Sequence, residues 1–235
     1  MQTSSASRQP PVRAVILDLD GVLVDTARYH FRAWKRIADE LGIAFTEKDN
    51  EQLKGVSRLE SLERLLAMGE QDMAEAEKQQ WTDRKNGYYR EYLKDLGEEE
   101  ILPGAIELLE ALRGAEVKTA VASASKNGPT IVERLSLSGY FDAAVFGQDL
   151  QHSKPHPQVF VIAAERLAEA PSQCVVVEDG NVGVEAAHRA GMRCVGVGDD
   201  QHLKAADLVV ANLAGLAVSD LLGLQAKTTE PTKAG

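Results

Sequence analysis

Val15 to Thr26 reads VILDLDGVLVDT, an apolar run that ends in two carboxylates, Asp18 and Asp20, followed at once by Gly21. A short apolar run without polar alternation is the pattern of a strand buried on both faces of a parallel sheet. Acid groups at the carboxyl end of such a strand stand at the crevice where open α/β sheets bind their ligands.

Working outward, the same pattern returns. After a first strand over 12–19, apolar runs recur at 117–122, 143–146, 174–177, 194–197 and 208–211. Between them lie PGAIELLEALRG, NGPTIVERLSL, HPQVFVIAAERLAEA and NVGVEAAHRAG, helical patterns of which the first opens on Pro103 and the last stops at Gly191. Strands alternating with helices predict a doubly wound, Rossmann-like α/β core over residues 12–26 and 98–224. Residues 27–97 break the rhythm. ARYHFRAWKRIADELG places Ala27, Phe31, Trp34, Ala38 and Leu41 on one helical face, and the charge-rich stretches after it contain no strand pattern. An inserted all-helical cap domain is expected there, closing over the strand ends. Residues 1–11 and 225–235 read as a disordered leader and tail.

Composition narrows the chemistry. With 36 acidic and 26 basic residues in 235, the formal charge of -10 disfavours binding to nucleic acid or an anionic membrane. No apolar run approaches the roughly 20 residues of a membrane span, and MQTSSASRQPP lacks the apolar centre of a secretory signal, so a cytoplasmic location is expected. Cys174 and Cys194 fall inside strands and read as buried free thiols. The apolar faces can all be used within one core and one cap, which points to a monomer.

A second acidic pair, Glu178 and Asp179, ends the strand VVVED. Four acids converging on one crevice repel one another by about 4 kcal/mol per pair at ~4 Å and an effective dielectric of about 20. A cation is needed, and oxygen donors without a His or Cys cluster point to a hard divalent ion, most plausibly Mg2+. Ser123, at the end of VKTAVAS, and the amides after it offer donors for a phosphate. Lys154, in SKPHP, offers it a positive charge. Lys154 and Mg2+ leave the four acids one charge short of neutral, so one carboxyl is expected to be protonated, as a general acid must be.

DLDGVLVDT, a Ser-ended second strand, a Lys-Pro and a later Glu-Asp together resemble the four-motif pattern of the haloacid dehalogenase superfamily of aspartate-nucleophile phosphotransferases. More narrowly, HFRAWK, LKGVSR, RKN and ASASKNG resemble the beta-phosphoglucomutases, over about residues 12–198. The resemblance implies Asp18 as nucleophile, Asp20 as general acid and base, and Asp18, Asp20 (by its carbonyl), Glu178 and Asp179 around one Mg2+. It implies Ser123, Ala124 and Lys154 around the transferring phosphate, and Arg58, Ser125, Lys126 and Asn127 around a second one. Thr26, His30, Trp34, Lys54, Gly55, Ser61 and Lys85 match positions at the hinge or near the sugar. The implied reaction interconverts beta-glucose 1-phosphate and glucose 6-phosphate, with glucose 1,6-bisphosphate as priming intermediate. Gly180 stands where many relatives carry Ser or Ala, a change expected to loosen the metal loop.

Each assignment has a plainer alternative. His30 would suit the edge of an apolar stripe, Arg58 and Lys85 a solvated surface, and Lys126 and Asn127 the cap of the next helix. A sugar-phosphate phosphatase of the same superfamily shares every core motif. A non-catalytic binding module would not need Asp18, Asp20, Ser123, Lys154 and Asp179 together.

Overall fold

The computed structural model describes residues 10–53 and 56–226. Six strands, β1 (Ala14–Leu17), β2 (Lys118–Ala122), β3 (Ala143–Val145), β4 (Cys174–Glu178), β5 (Arg193–Val197) and β6 (Leu208–Val210), form one sheet in the order β3-β2-β1-β4-β5-β6. Every pairing is parallel. The chain winds outward from β1 through β2 to β3, then crosses back to the other side of β1 and winds outward again. The topological switch point therefore lies between β1 and β4, and a ligand crevice is dictated at their carboxyl ends.

The sheet is buried on both faces because the central positions of its strands are predominantly apolar, with the polar residues Lys118, Glu178 and Arg193 at strand ends. Val15, Leu17, Val121, Val175 and Val177 pack on one side with α5 (Ala105–Gly114) and α6 (Gly128–Arg134), through Leu108, Leu109, Leu112 and Ile131. Ala14, Ile16, Ala120, Ala122, Cys174, Val176 and Cys194 pack on the other with α7 (Gln158–Leu167) and α8 (Asn181–Arg189), through Phe160, Ala163, Val184 and Ala187. Both cysteines are buried free thiols. No helix among the described residues is long and apolar enough to cross a membrane.

Between β1 and β2 the chain builds α1 (Ala27–Leu41), α2 (Glu47–Glu51), α3 (Arg58–Met68) and α4 (Glu75–Tyr92), with no strand among the described residues of this segment. The apolar face of α1 differs from the expected one. Tyr29, Ala33, Trp34, Ile37 and Ala38 are buried, whereas Ala27, Phe31 and Leu41 are only partly covered. The reason is that α1 serves two clusters. Tyr29 and Ala33 join the sheet-side core, together with Tyr89 and Leu93, while Trp34, Ile37 and Ala38 pack with Leu62, Leu65 and Leu66 of α3.

The first strand is also shorter than the pattern suggested, because residues 18–24 turn back on themselves. Gly21 N donates to Val24 O at 2.8 Å, and Val24 pairs with Ile101 where the chain returns from the helical segment. A helix that the sequence reading passed over, α9 (Val218–Gly223), closes the chain against the sheet-side core through Leu221. Residues 1–9 and 227–235, most of the expected leader and tail, lie outside the described residues.

Arg193, 5% exposed at the start of β5, ties the segments around Pro10 and Leu224 to the sheet. Its guanidinium donates to the carbonyls of Ser172 at 2.7 Å, Leu224 at 2.9 Å and Pro10 at 3.2 Å. Charge-assisted bonds to buried carbonyls are expensive to leave unmade. Arg193→Met, which fills the volume but cannot donate, is expected to lower the unfolding free energy by about 2–3 kcal/mol; urea denaturation with an unchanged midpoint would show that the three carbonyls find other donors.

Candidate active site

The sheet register assembles the site. Leu17 of β1 lies opposite Val177 of β4, and Asp18 N donates to Val177 O at 2.9 Å, so Asp18 and Glu178 leave their strands side by side. On the other flank, Ser123 follows the last residue of β2 and is tied to β3 by its N–H to Val145 O at 3.0 Å. Lys154 enters from the segment between β3 and α7. Its Nζ is 2.7 Å from Asp18 Oδ1 and also donates to Glu178 Oε1. One carboxylate oxygen from each of Asp18, Glu178 and Asp179 lies within 4.8 Å of the others. This all-oxygen donor set, compact and doubly countered by one ammonium, fits a hard divalent cation. The Asp20 side chain stands apart from that group and accepts a hydrogen bond from Thr26 Oγ1.

Two glycines make the acid group possible. Gly21 has φ +83°, and a Cβ there would lie 2.0 Å from Asp179 Oδ2. At Gly183, in the first turn of α8, a Cβ would lie 1.8 Å from Glu178 Oε1. Gly180 is different. Its N–H donates to Glu178 Oε2 at 2.6 Å, and a Cβ would meet only that oxygen, at 3.5 Å. The metal loop is thus held by a backbone bond that does not depend on which side chain stands at 180.

Electrostatics divide the acids by environment. Burial raises the Asp18 carboxyl well above the ordinary range, against the pull of Lys154 and with the push of Glu178 and Asp179. Asp179 is raised to about 7, by enclosure in the crevice and by the neighbouring Glu178. Asp20 is raised too, by burial, although Thr26, Lys154 and Ser123 each favour its charged form. For Lys154, burial alone would lower the pKa, but Asp18 and Glu178 outweigh it and fix the ammonium.

The helical segment adds donors over this group. Its longest helix, α4, buries Thr82, Lys85 and Tyr89, a stripe at i, i+3 and i+7 that is polar or amphipathic rather than aliphatic. Lys85 Nζ lies 2.9 Å from His30 Nδ1, 5.0 Å from the Trp34 ring centre and 4.8 Å from that of Tyr89. The His30 ring lies against Tyr89, with ring centres 4.2 Å apart. Burial and mutual repulsion with Arg58 pull the pKa values of both Lys85 and His30 well down, Asp20 partly opposing this for Lys85. Lys85, 2% exposed, is not a solvated surface charge. Arg58 opens α3, half-buried. Ser61 is buried, but its hydroxyl donates to Ser57 O within α3 at 2.9 Å, a bond its own helix explains. Lys54 and Gly55 lie outside the described residues.

Residues 123–127 form a tight loop in which the two serines each bond the backbone two residues on. Ser123 Oγ accepts from Ser125 N at 3.0 Å and Ser125 Oγ from Asn127 N at 3.2 Å. Ala124 and Lys126 are exposed at the mouth. Asn127 precedes α6, yet its side chain makes no capping bond; its Nδ2 donates to Asn86 Oδ1 of α4 at 3.0 Å. Thr26 likewise precedes α1 without capping it and is engaged by Asp20 instead. Sequence reasoning passed over Asn86 and Tyr89. Asn86 belongs to the RKN stretch and Tyr89 lies one helical turn after Lys85, which was the available signal. The enclosed Tyr89 hydroxyl has no hydrogen-bond partner among the described residues.

Comparison with known proteins places this arrangement. Residues 12–191 match the haloacid dehalogenase-like hydrolase family. The chain is 44% identical over 209 residues to a beta-phosphoglucomutase of Bacillus subtilis, covering 88% of this chain and 92% of that protein. It is 36% identical over 184 residues to a phosphorylated carbohydrates phosphatase of Thermotoga maritima, covering 77% and 82%. The crystal structure of a beta-phosphoglucomutase from Clostridium difficile superposes with a TM-score of 0.82 at 38% identity, over 88% of this chain and 94% of that one.

The glycine geometry generates a test of the cation site. Gly183→Ala, which forces the Glu178 carboxylate to move, is expected to weaken Mg2+ binding by about 10–100-fold in a calorimetric titration. Gly180→Ala, for which there is room, is expected to bind within about twofold of the unaltered protein. Equal affinities for all three would remove Glu178 from the ligand set.

Proposed function

The chain belongs to the haloacid dehalogenase-like hydrolase family, and on that premise we propose that it is a Mg2+-dependent beta-phosphoglucomutase. It would interconvert beta-glucose 1-phosphate and glucose 6-phosphate through beta-glucose 1,6-bisphosphate, as a cytoplasmic monomer. The observation that carries the choice is the Lys85–His30 pair, set over the strand ends with Asp20 among the charges that act on Lys85. Donors of the helical segment, buried at Lys85 and half-buried at His30, with Asp20 acting on Lys85, suit a sugar bearing several hydroxyls. The extensive identity with the Bacillus subtilis mutase supports the same reading.

In this reading residues 12–26 and 98–224 are the core, and residues 27–97 are a cap that closes on it. Asp18, Glu178 and Asp179, with the Asp20 carbonyl, would hold Mg2+, which supplies positive charge against the phosphoryl oxygens. Asp18 attacks phosphorus through a carboxylate oxygen; the bond from phosphorus to the sugar oxygen breaks, and Asp20 gives that oxygen its proton. In the second half-reaction a hydroxyl of the bound sugar attacks the aspartyl phosphate, passes its proton to Asp20, and releases Asp18. Ser123, the Ala124 amide and Lys154 bind the transferring phosphate throughout. Arg58 with Ser125, Lys126 and Asn127 binds the other one, while Thr26, Trp34, Lys54, Gly55 and Ser61 shape the hinge and the sugar pocket. Exclusion of water decides the outcome, since water and a sugar hydroxyl compete for one intermediate.

A coupled assay decides this. With beta-glucose 1-phosphate, Mg2+ and a trace of glucose 1,6-bisphosphate, glucose 6-phosphate is expected to form with little free phosphate. Asp18→Asn should abolish the reaction, and Asp20→Asn should slow it about 10²–10⁴-fold, the usual worth of a general acid and base. Stoichiometric phosphate without isomer would instead establish a sugar-phosphate phosphatase, the activity named for the Thermotoga maritima relative.

A further inference from the structure

Asn86 is the residue of α4 that follows Lys85, and it is half-buried on the side of that helix facing the core. Its Oδ1 accepts the hydrogen bond from Asn127 Nδ2, at 3.0 Å, across a gap between two segments 41 residues apart in the chain. Asn127 itself is 8% exposed and is fixed from behind. Its N–H is held by Ser125 Oγ, and the following Gly128 is pressed so closely against Phe146 that a Cβ would lie 2.3 Å from the ring. What remains free to turn is the terminal carboxamide, whose torsion has a broad and nearly two-fold potential. A carboxamide nitrogen carries two N–H donors. Fixing one on Asn86 fixes the direction of the other.

We infer that Asn86 is a positioning residue, orienting the Asn127 amide so that its second N–H meets the non-transferring phosphate of a phosphorylated sugar. The bond exists only while α4 lies against the core, so the phosphate grip and the placement of the adjacent Lys85 are set by one contact. The inference rests on the mutase reading for the identity of that second phosphate. It goes beyond it in assigning a cap side chain that need not touch the substrate to the core's phosphate loop.

Three variants test it: Asn86→Ala, Asn127→Ala and the double replacement, each assayed with glucose 1,6-bisphosphate and with acetyl phosphate, which has one phosphoryl group and no second anion. Asn86→Ala is expected to raise KM for the bisphosphate about tenfold, the worth of one well-placed hydrogen bond to a charged group. Because Asn86 acts through Asn127, the double variant should be no worse than Asn127→Ala alone. Turnover of acetyl phosphate by Asn86→Ala should change less than twofold. Additive losses in the double variant, or an equal loss with both donors, would overturn the assignment, the second by showing that α4 had simply been disturbed. If the unaltered protein turns beta-glucose 1-phosphate into glucose and free phosphate without glucose 6-phosphate, the mutase reading fails separately, and release of phosphate from the bisphosphate remains as a readout. The single and double variants still decide the role of Asn86 from the KM for that release.

Discussion

The ammonium of Lys154, set between Asp18 and Glu178, is the interaction on which the site depends. A parallel sheet wound about a switch point brings strand ends together, and this chain ends two adjacent strands in carboxylates. Burial of either one alone would drive it toward the neutral acid. The lysine, at hydrogen-bond distance, opposes the upward shift that burial, Glu178 and Asp179 impose on Asp18 without cancelling it, and the same two carboxylates keep the lysine protonated against its own burial. The arrangement is stable only as a group. Asp20 and Asp179, which make no direct bond to Lys154, are shifted upward as well.

The helical segment solves a different problem. Buried polar groups are costly unless paired, and yet α4 turns Thr82, Lys85 and Tyr89 inward where aliphatic residues would stabilise it more. Lys85 is accommodated by His30 and by the faces of Trp34 and Tyr89. Thr82 is satisfied by its own helix, through Gln79 O at 2.9 Å. The Tyr89 hydroxyl is left over. The stability of the segment comes instead from the separate cluster of α1 and α3 around Trp34, Ile37, Leu62 and Leu65. That separation lets the inward face of α4 be chosen for chemistry.

Much of this was legible in the sequence because two-sided burial writes an uninterrupted apolar run, and a carboxylate at its end has no other physical excuse. All six strands lie where such runs occur, with ends displaced by a residue or two, and Asp18, Ser123 and Glu178 follow from where the runs stop. The first strand was overestimated since Leu19 is as apolar in a tight turn as in a ladder. The face of α1 was misjudged because one helix packing against two clusters has no single stripe. Side chains whose partners are distant in sequence were the hardest to read. Thr26 and Asn127 both stand where a helix cap is expected, and both are drawn instead to groups that only the tertiary fold supplies, Asp20 and Asn86. Residue type told that they would bond, and the fold chose the partner.

Those two diverted caps have a common consequence. Thr26 is the last residue before the helical segment begins, and it donates to Asp20, the proposed general acid and base. Beside it the chain that leaves the core is stitched to the chain that returns, through Asp25 N to Glu100 O at 2.8 Å, Tyr29 Oη to Glu100 Oε1 at 3.1 Å, and the Val24–Ile101 bridge. A rotation of the segment about this junction must turn Thr26 with it. Asp20 would then lose or keep its partner according to the position of α1. In the proposed mechanism, proton transfer by Asp20 and enclosure of the substrate would then be parts of one motion, because the Thr26 hydroxyl is bonded to the acid and not to its own helix.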